Sequence, residues 1–334
     1  MKPFASDRRR SVASLGEERL IARVRRWLGS ACPPPPAGIG DDCAVLPAFP
    51  PGGGSRLVTV DPVVYGRHFD DCAVPRLVGE KLLKRSLSDL AAMGGRPEAA
   101  VVALALDARV SVAWLEGFYR GLAACARKFQ VAVVGGDLTQ ADGVLAASLT
   151  LLGSGGAPEA VRARPKTIRS RASPRRADSR RILLRTGSRI GDHLYVTGVV
   201  GGSVSGGHHY SFTPRLNEGA WLAGRAEVRA MMDVSDGLAK DLKAMVPGNG
   251  RPAIFAELLP IRRGADLRSA LGEGEDYELL FAVDRGADLP EFEAAWRRAF
   301  PRLRLSRIGR FVPAGARVPE AVPLERHHGY EHLR

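Results

Sequence analysis

A chain of 334 residues, 45% hydrophobic and 25% charged, has the make-up of a soluble globular protein large enough for two domains. Its longest apolar stretch, residues 99–106, is far shorter than the ~20 residues a bilayer needs, and no apolar run follows the opening MKPFASDRRRS, so neither a membrane span nor a secretory signal is expected. The net charge of +13 is uneven: residues 161–185 hold ten Lys/Arg and one acid, Asp178, and so carry +9, which argues against a fold built as a whole for nucleic acid.

In chain order, LGEERLIARVRRWL (15–28) predicts a helix with Leu20, Val24 and Trp27 on one face, followed by the stiff break CPPPPAG. A strand is expected at 56–60. The spacing of Leu83, Leu87 and Leu90 predicts a helix over 75–93, stopped by Gly94-Gly95 and Pro97. A strand at 98–106 and an amphipathic helix over 112–129, with Leu115, Phe118, Leu122, Cys125 and Phe129 on one stripe, come next. Strands follow at 131–134 and 144–152. Residues 153–181, rich in Arg, Ser, Pro and Ala without a period, read as an unstructured excursion. The second half repeats the alternation: strands at 193–200, 231–233, 253–259 and 278–283, and helices at 216–229, 237–246 and 291–300. Both halves are therefore expected to be α/β (α+β), with domains at 1–153 and 185–334 around an Arg-rich insertion, 154–184. The four cysteines, Cys32, Cys43, Cys72 and Cys125, form no CxxC pair; they read as reduced thiols of a cytoplasmic protein, and zinc is not expected.

Acids at the rims of elements carry the chemical signal. Asp42 follows a glycine turn in GIGDD, Asp61 ends a strand before a proline, and Asp89 sits inside a helix. Asp137 follows Gly135-Gly136, and Asp233 and Asp236 flank Val234-Ser235. Mg²⁺ takes oxygen ligands and is usually held by a few carboxylates together with substrate phosphates, and small neighbours let phosphates approach the backbone. Each acid also has an ordinary reading: a turn cap at Asp42, an i−4 ion pair with Arg85 at Asp89, an N-cap at Asp236. No GxxxxGK[ST] occurs, and the glycines at 198, 201 and 202 lack a GxGxxG spacing with a ribose-binding acid, which excludes a P-loop and leaves little of a Rossmann reading.

Taken in order, GIGDDCAVL (38–46), VTVDPVVYGRHF (58–69), SLSDLAAMGGRP (86–97), VVGGD (133–137), RTGSRIGDHLYVTG (185–198), MDVSDGLAKDL (232–242), GEDYELLF (274–281) and GYEHL (329–333) resemble the thiamine-monophosphate kinase family of the aminoimidazole-ribonucleotide-synthetase superfamily. The resemblance spans nearly the whole chain outside the Arg-rich segment. It implies that ATP phosphorylates thiamine monophosphate directly, with several Mg²⁺ ions. It implies metal positions at Asp42, Thr59, Val60, Asp61, Asp89, Asp137, Asp233 and Asp236, and nucleotide contacts at Tyr119, Gly136, Asp137, Arg185 and Ser235. Substrate contacts are implied at His68, Glu275, His327 and Tyr330, with Asp61, Asp137 and Arg185 in catalytic roles. It also implies a homodimer whose N-terminal sheets pair, with nucleotide near that interface. Asp41 is expected to form the turn or support Asp42, and Glu275, Asp276 and Tyr277 are candidate partners for the substrate rings.

The chain departs from the family's pattern at Ser86, where Asn is frequent, at Leu138-Thr139-Gln140, where Thr-Thr-Arg is usual, and at Glu273, where a glycine is usual. His327 or His328 stands where an aromatic is expected. Two other readings stay open: a superfamily enzyme with another acceptor, or a degraded homologue that binds a polyanion or protein through the Arg-rich segment. Nucleic acid is not an expected partner, since that segment lacks aromatics for base stacking.

Overall fold

The computed structural model describes residues 14, 17–47, 54–156 and 181–331. The Arg-rich segment expected to be unstructured falls outside the described residues from 157 to 180. Two five-stranded sheets organise the rest. The first has the order β1 (Ala44–Pro47), β2 (Ser55–Val64), β5 (Leu145–Gly155), β3 (Arg96–Leu106), β4 (Ala132–Gln140). The second runs β7 (Val228–Asp233), β9 (Leu279–Val283), β6 (His193–Thr197), β10 (Leu305–Pro313), β8 (Gly250–Ile254). Only β3 and β4 pair in parallel; every other neighbour is antiparallel, so the arrangement is of the α+β kind.

Helix α1 (Glu17–Leu28) precedes the first sheet, whose inner face is covered by α2 (Pro75–Ala92) and α3 (Val112–Phe129). Proline at the first turn starts α2, and Ser111 caps α3 by accepting from Trp114 N. Leu57, Val63, Leu82, Phe118, Leu149 and Leu151 form the core between them. The second half adds α4 (His208–Ser211), α5 (Leu216–Ala223), α6 (Leu238–Ala244), α7 (Leu267–Gly272) and α8 (Leu289–Ala299). Alternation along β6 sends Leu194 and Val196 to a core with α6 and α7, and Tyr195 to a second core with Phe281, Phe292 and Trp296. That sheet is buried on both faces.

Helix α2 belongs to both halves. Its apolar residues are buried all round, Leu82, Leu83, Leu87 and Leu90 against the first sheet, and Ala91 and Ala92 in the core of the second half. Gly219 of α5 makes that contact possible, because a Cβ there would lie 2.0 Å from the Ala91 carbonyl oxygen.

Several expected elements change length. The strand at 56–60 runs on through Pro62, which the sheet tolerates because β1 pairs only with Ser55–Val58 and leaves that end of β2 with one neighbour. The helix expected over 216–229 stops at Gly224, and Val228, Ala230 and Met232 begin a strand instead. The strand expected over 253–259 is β8 followed by a 3₁₀ turn at Ala256–Leu258. β1, β10 and α7 were not expected; Arg307, Gly309 and Arg310 break up the apolar pattern of β10. No helix among the described residues is long and apolar enough to cross a membrane.

Alanine normally stabilises a helix by about 1 kcal/mol relative to glycine. Gly219→Ala should do the opposite here and lower stability by about 1–3 kcal/mol through overpacking, read as a reduced midpoint in urea unfolding.

Candidate functional site

Acids from three separate stretches meet where the halves touch. Asp42 follows the glycine turn before β1, Asp89 lies in α2, and Asp233 ends β7; one carboxylate oxygen of each lies within 4.8 Å of the others. The turn reaches this place because Gly38 packs directly on the proline run: a Cβ there would fall 1.8 Å from the Pro33 carbonyl oxygen. Thr59 Oγ1 donates to Asp89 at 2.5 Å, and Ser88 Oγ donates to Asp233 at 2.6 Å. Asp61, two residues on in the same inward-facing row of β2, accepts from Ser86 Oγ at 3.1 Å.

The paired acids of GIGDD have distinct tasks. Arg185 Nη2 sits 2.5 Å from Asp42 Oδ1. Asp41 instead accepts from the backbone N–H of Asp42 at 3.0 Å and of Arg185 at 3.2 Å, which is the supporting role expected of it. The counter-charge for the pair thus arrives from 143 residues away in sequence. Asp42 Oδ2 is buried and has no hydrogen-bond partner among the described residues.

Burial pushes these carboxyls up. Asp233 rises to about 7, with the Asp42 charge adding to burial and the Ser88 hydroxyl opposing it. Asp41 also rises to about 7, through burial and then Asp42. Asp42 and Asp89 are raised by burial too, Asp42 against the pull of Arg185 and Asp89 with the charge of Asp61 adding. The buried Asp233 and the half-buried Asp42 and Asp89, with an orphaned oxygen, form an all-oxygen donor set that suits a hard divalent cation. The residues fit such an ion.

Beside the acids lies a cleft of about 360 Å³ lined by Asp61, His68, Arg85, Asp89, Ser235, Asp236, Glu275, Tyr277 and Tyr330 among others. Asp236 is not the N-cap of α6; it pairs with Lys240 at 2.7 Å. Asp241, absent from the sequence reading, shapes the loop by accepting from the backbone N–H groups of Ser235, Asp236 and Gly237 at 3.1–3.2 Å. An acid in the first turn of a helix after Ser-Asp-Gly was the available signal.

Glu275 is held with unusual firmness. Burial alone would raise it, but a hydrogen bond with His209 and the charge of Lys81 bring it down to about 2. Lys81 Nζ lies 2.7 Å from both Glu275 Oε2 and His209 Nδ1, and burial lowers this lysine to about 8 against the pull of Glu275. Glu275 and Tyr277 both have positive φ, 55° and 53°, a strained conformation that clusters at functional sites. Neither Lys81 nor His209 was legible as a site residue. Asp276, a candidate ring partner, is instead buried and accepts from Gly201 N at 2.9 Å.

The other expected residues lie elsewhere. Register places Asp61, Leu149, Val102 and Gly136 in one cross-strand row, and Pro62, Ser148, Ala103 and Asp137 in the next, on the opposite face. β4 is three strand spacings from β2, about 14 Å, and is exposed along its length. Asp137, Gly136, the exposed Val60 side chain and Tyr119 on α3 therefore do not line the cleft within one chain. Asp137 accepts from Thr139 at 3.2 Å. His327 lines a neighbouring cavity of about 600 Å³, with Glu273 common to both.

Comparison with known proteins agrees with this geometry. Residues 40–154 match the family model described as AIR synthase related protein, N-terminal domain. The chain is 33% identical over 295 residues to a thiamine-monophosphate kinase of Rhodopirellula baltica, covering 82% of this chain and 83% of that one. It is likewise 33% identical to a thiamine-monophosphate kinase of Salmonella typhimurium, covering 81% and 85%. The solved structure of AaThiL complexed with AMPPCP and TMP superposes with a TM-score of 0.73 at 25% identity, over 96% of this chain and 98% of that one.

The raised carboxyls give a signed expectation. A group whose folded pKa lies above its unfolded value binds more protons when folded, so the metal-free protein loses stability as pH rises from about 4 to about 7. A divalent cation displaces those protons, and the rise in Tm on adding Mg²⁺ should grow between pH 6 and pH 8. In Asp89→Asn that rise should largely disappear, as differential scanning calorimetry would show.

Proposed function

The chain belongs to the thiamine-monophosphate kinase family, and from that premise we propose that it transfers the γ-phosphoryl group of ATP to thiamine monophosphate, giving thiamine diphosphate. The observation that carries this reading is the convergence of Asp42, Asp89 and Asp233 beside a cleft that also contains Asp61. The acceptor is already an oxyanion, so no strong general base is required. The difficulty is to bring two polyanions into line. Asp42, Asp89 and Asp233, with Asp61 and Thr59 alongside, would hold Mg²⁺, which when bound neutralises charge on phosphate oxygens. Asp61 stands where the acids meet the cleft. His68, Glu275 and Tyr330 line the volume that would receive the thiamine portion, and Ser235 and Asp236 the rim next to it. Arg185 holds Asp42 in place and keeps its Nε 3.6 Å from Asp41 Oδ1, so both acids of the turn share its charge.

Residues 1–153 and 185–334 act as the two functional halves in this reading, with the metal site between them. The outer face of the first sheet exposes Val60, Val101 and Leu152, an apolar surface of the kind that pairs with a second copy. We place a homodimer on that face. It accounts for Gly136, Asp137 and Tyr119, which lie away from the cleft of their own chain and would serve the nucleotide near the interface. The four cysteines are free thiols, in keeping with a reducing cytoplasm.

Purified protein with Mg²⁺ should consume ATP only when thiamine monophosphate is present, with thiamine diphosphate as the product by chromatography. ATP consumption that ignores thiamine monophosphate would sink the reading. Asp61→Asn should lower turnover by on the order of 100-fold or more while leaving the unfolding midpoint close to that of the parent.

A further inference from the structure

Arg85 points from α2 into the wall of the cleft, one turn before Asp89, and no role given so far uses it. Its side chain is only 13% exposed. Nη2 lies 3.4 Å from Asp61 Oδ1 and Nη1 lies 3.7 Å from Glu275 Oε1, both longer than a good N–H···O bond. Nε and Nη1 are buried and make no hydrogen bond with any described residue.

The acids around it are engaged elsewhere. Asp61 accepts from Ser86, and Glu275 Oε2 is taken by Lys81 and His209. The guanidinium is thus held between carboxylates at charge-pairing distance, in the wall of the cleft. Buried donors in a native wall call for a partner, and a planar fork of N–H groups matches two oxygens of a phosphate. The surroundings also make a cation necessary. A phosphate monoester entering beside Asp61, Asp89 and Glu275 meets like charge on three sides.

Resting on the reading of the cleft as the thiamine monophosphate site, we propose that Arg85 binds the phosphate of the acceptor and fixes its attacking oxygen next to Asp61 and Asp89. Arg85 is then the residue that separates the phosphorylated vitamin from the free alcohol. An arginine that only offsets the acids acts through its charge alone, so Arg85→Lys would then keep the full preference and overturn the assignment.

Titration calorimetry of the full chain in Mg²⁺, with thiamine monophosphate and with thiamine, distinguishes these roles. The parent should prefer thiamine monophosphate. Arg85→Gln should weaken that ligand by on the order of 10- to 100-fold, leave thiamine unchanged, and leave the KM for ATP unchanged. Arg85→Lys, which keeps the charge and loses the fork, should fall between the two, and it provides the measurement if the glutamine variant does not fold. Equal weakening of both ligands, or an unchanged preference in either variant, would overturn the assignment to Arg85 while the reading of the cleft stands. A parent protein that binds thiamine as tightly as its monophosphate overturns the reading of the cleft and the role of Arg85 with it.

Discussion

The structure turns on an electrostatic constraint. Three carboxylates approach within 4.8 Å in a setting from which water is largely withdrawn, and a fourth, Asp61, lies beside them. Such a group cannot be fully ionised without cations. The protein supplies one directly through Arg185, and spreads hydroxyl donors from Thr59, Ser86 and Ser88 over the remaining acids. What is left over, including the orphaned Asp42 Oδ2, is an attraction for an ion that the fold itself does not satisfy.

Helix α2 makes the constraint tolerable. One side carries leucines into the first core; its C-terminal end enters the second. Between these, at successive turns, come Lys81, Arg85 and Asp89, with Ser86 and Ser88 at intermediate angles. A single buried rod therefore sets the spacing between the clamp on Glu275, the cation in the cleft wall and the acid that meets Asp42 and Asp233. Precision comes from packing on both sides rather than from the polar contacts themselves.

Much of this was legible in the sequence because it rests on local pattern. The stripe on α3 and the leucines of α2 predicted those helices to within a residue, and acids at the rims of elements marked Asp42, Asp61, Asp89, Asp137, Asp233 and Asp236 as a set, of which Asp42, Asp89 and Asp233 meet. What escaped depends on contacts distant in sequence. Nothing near Asp42 announces Arg185, and nothing near Ser88 announces Asp233, 145 residues on. Lys81 and Arg85 read as ordinary helix charges until a second element covers them. β10 was hidden because Arg307 and Arg310, exposed within the strand, interrupt its apolar run, and the helix expected over 216–229 failed because a glycine stop was outweighed by apolar spacing that suits either period.

The hydrogen bond between Ser88 and Asp233 carries an implication for how the molecule assembles. It joins a helix of the first half to a strand of the second, so the constellation of acids does not exist until both halves have formed and met. Closing so long a segment is the slow part of acquiring a topology, and it is opposed here by like charges that approach only at the final stage. Chemical competence is thereby a late-arriving property: a chain with one half structured has every helix it needs locally, yet no place to gather phosphates. Ions that relieve the repulsion act on assembly as well as on chemistry, and the same carboxylates answer to both.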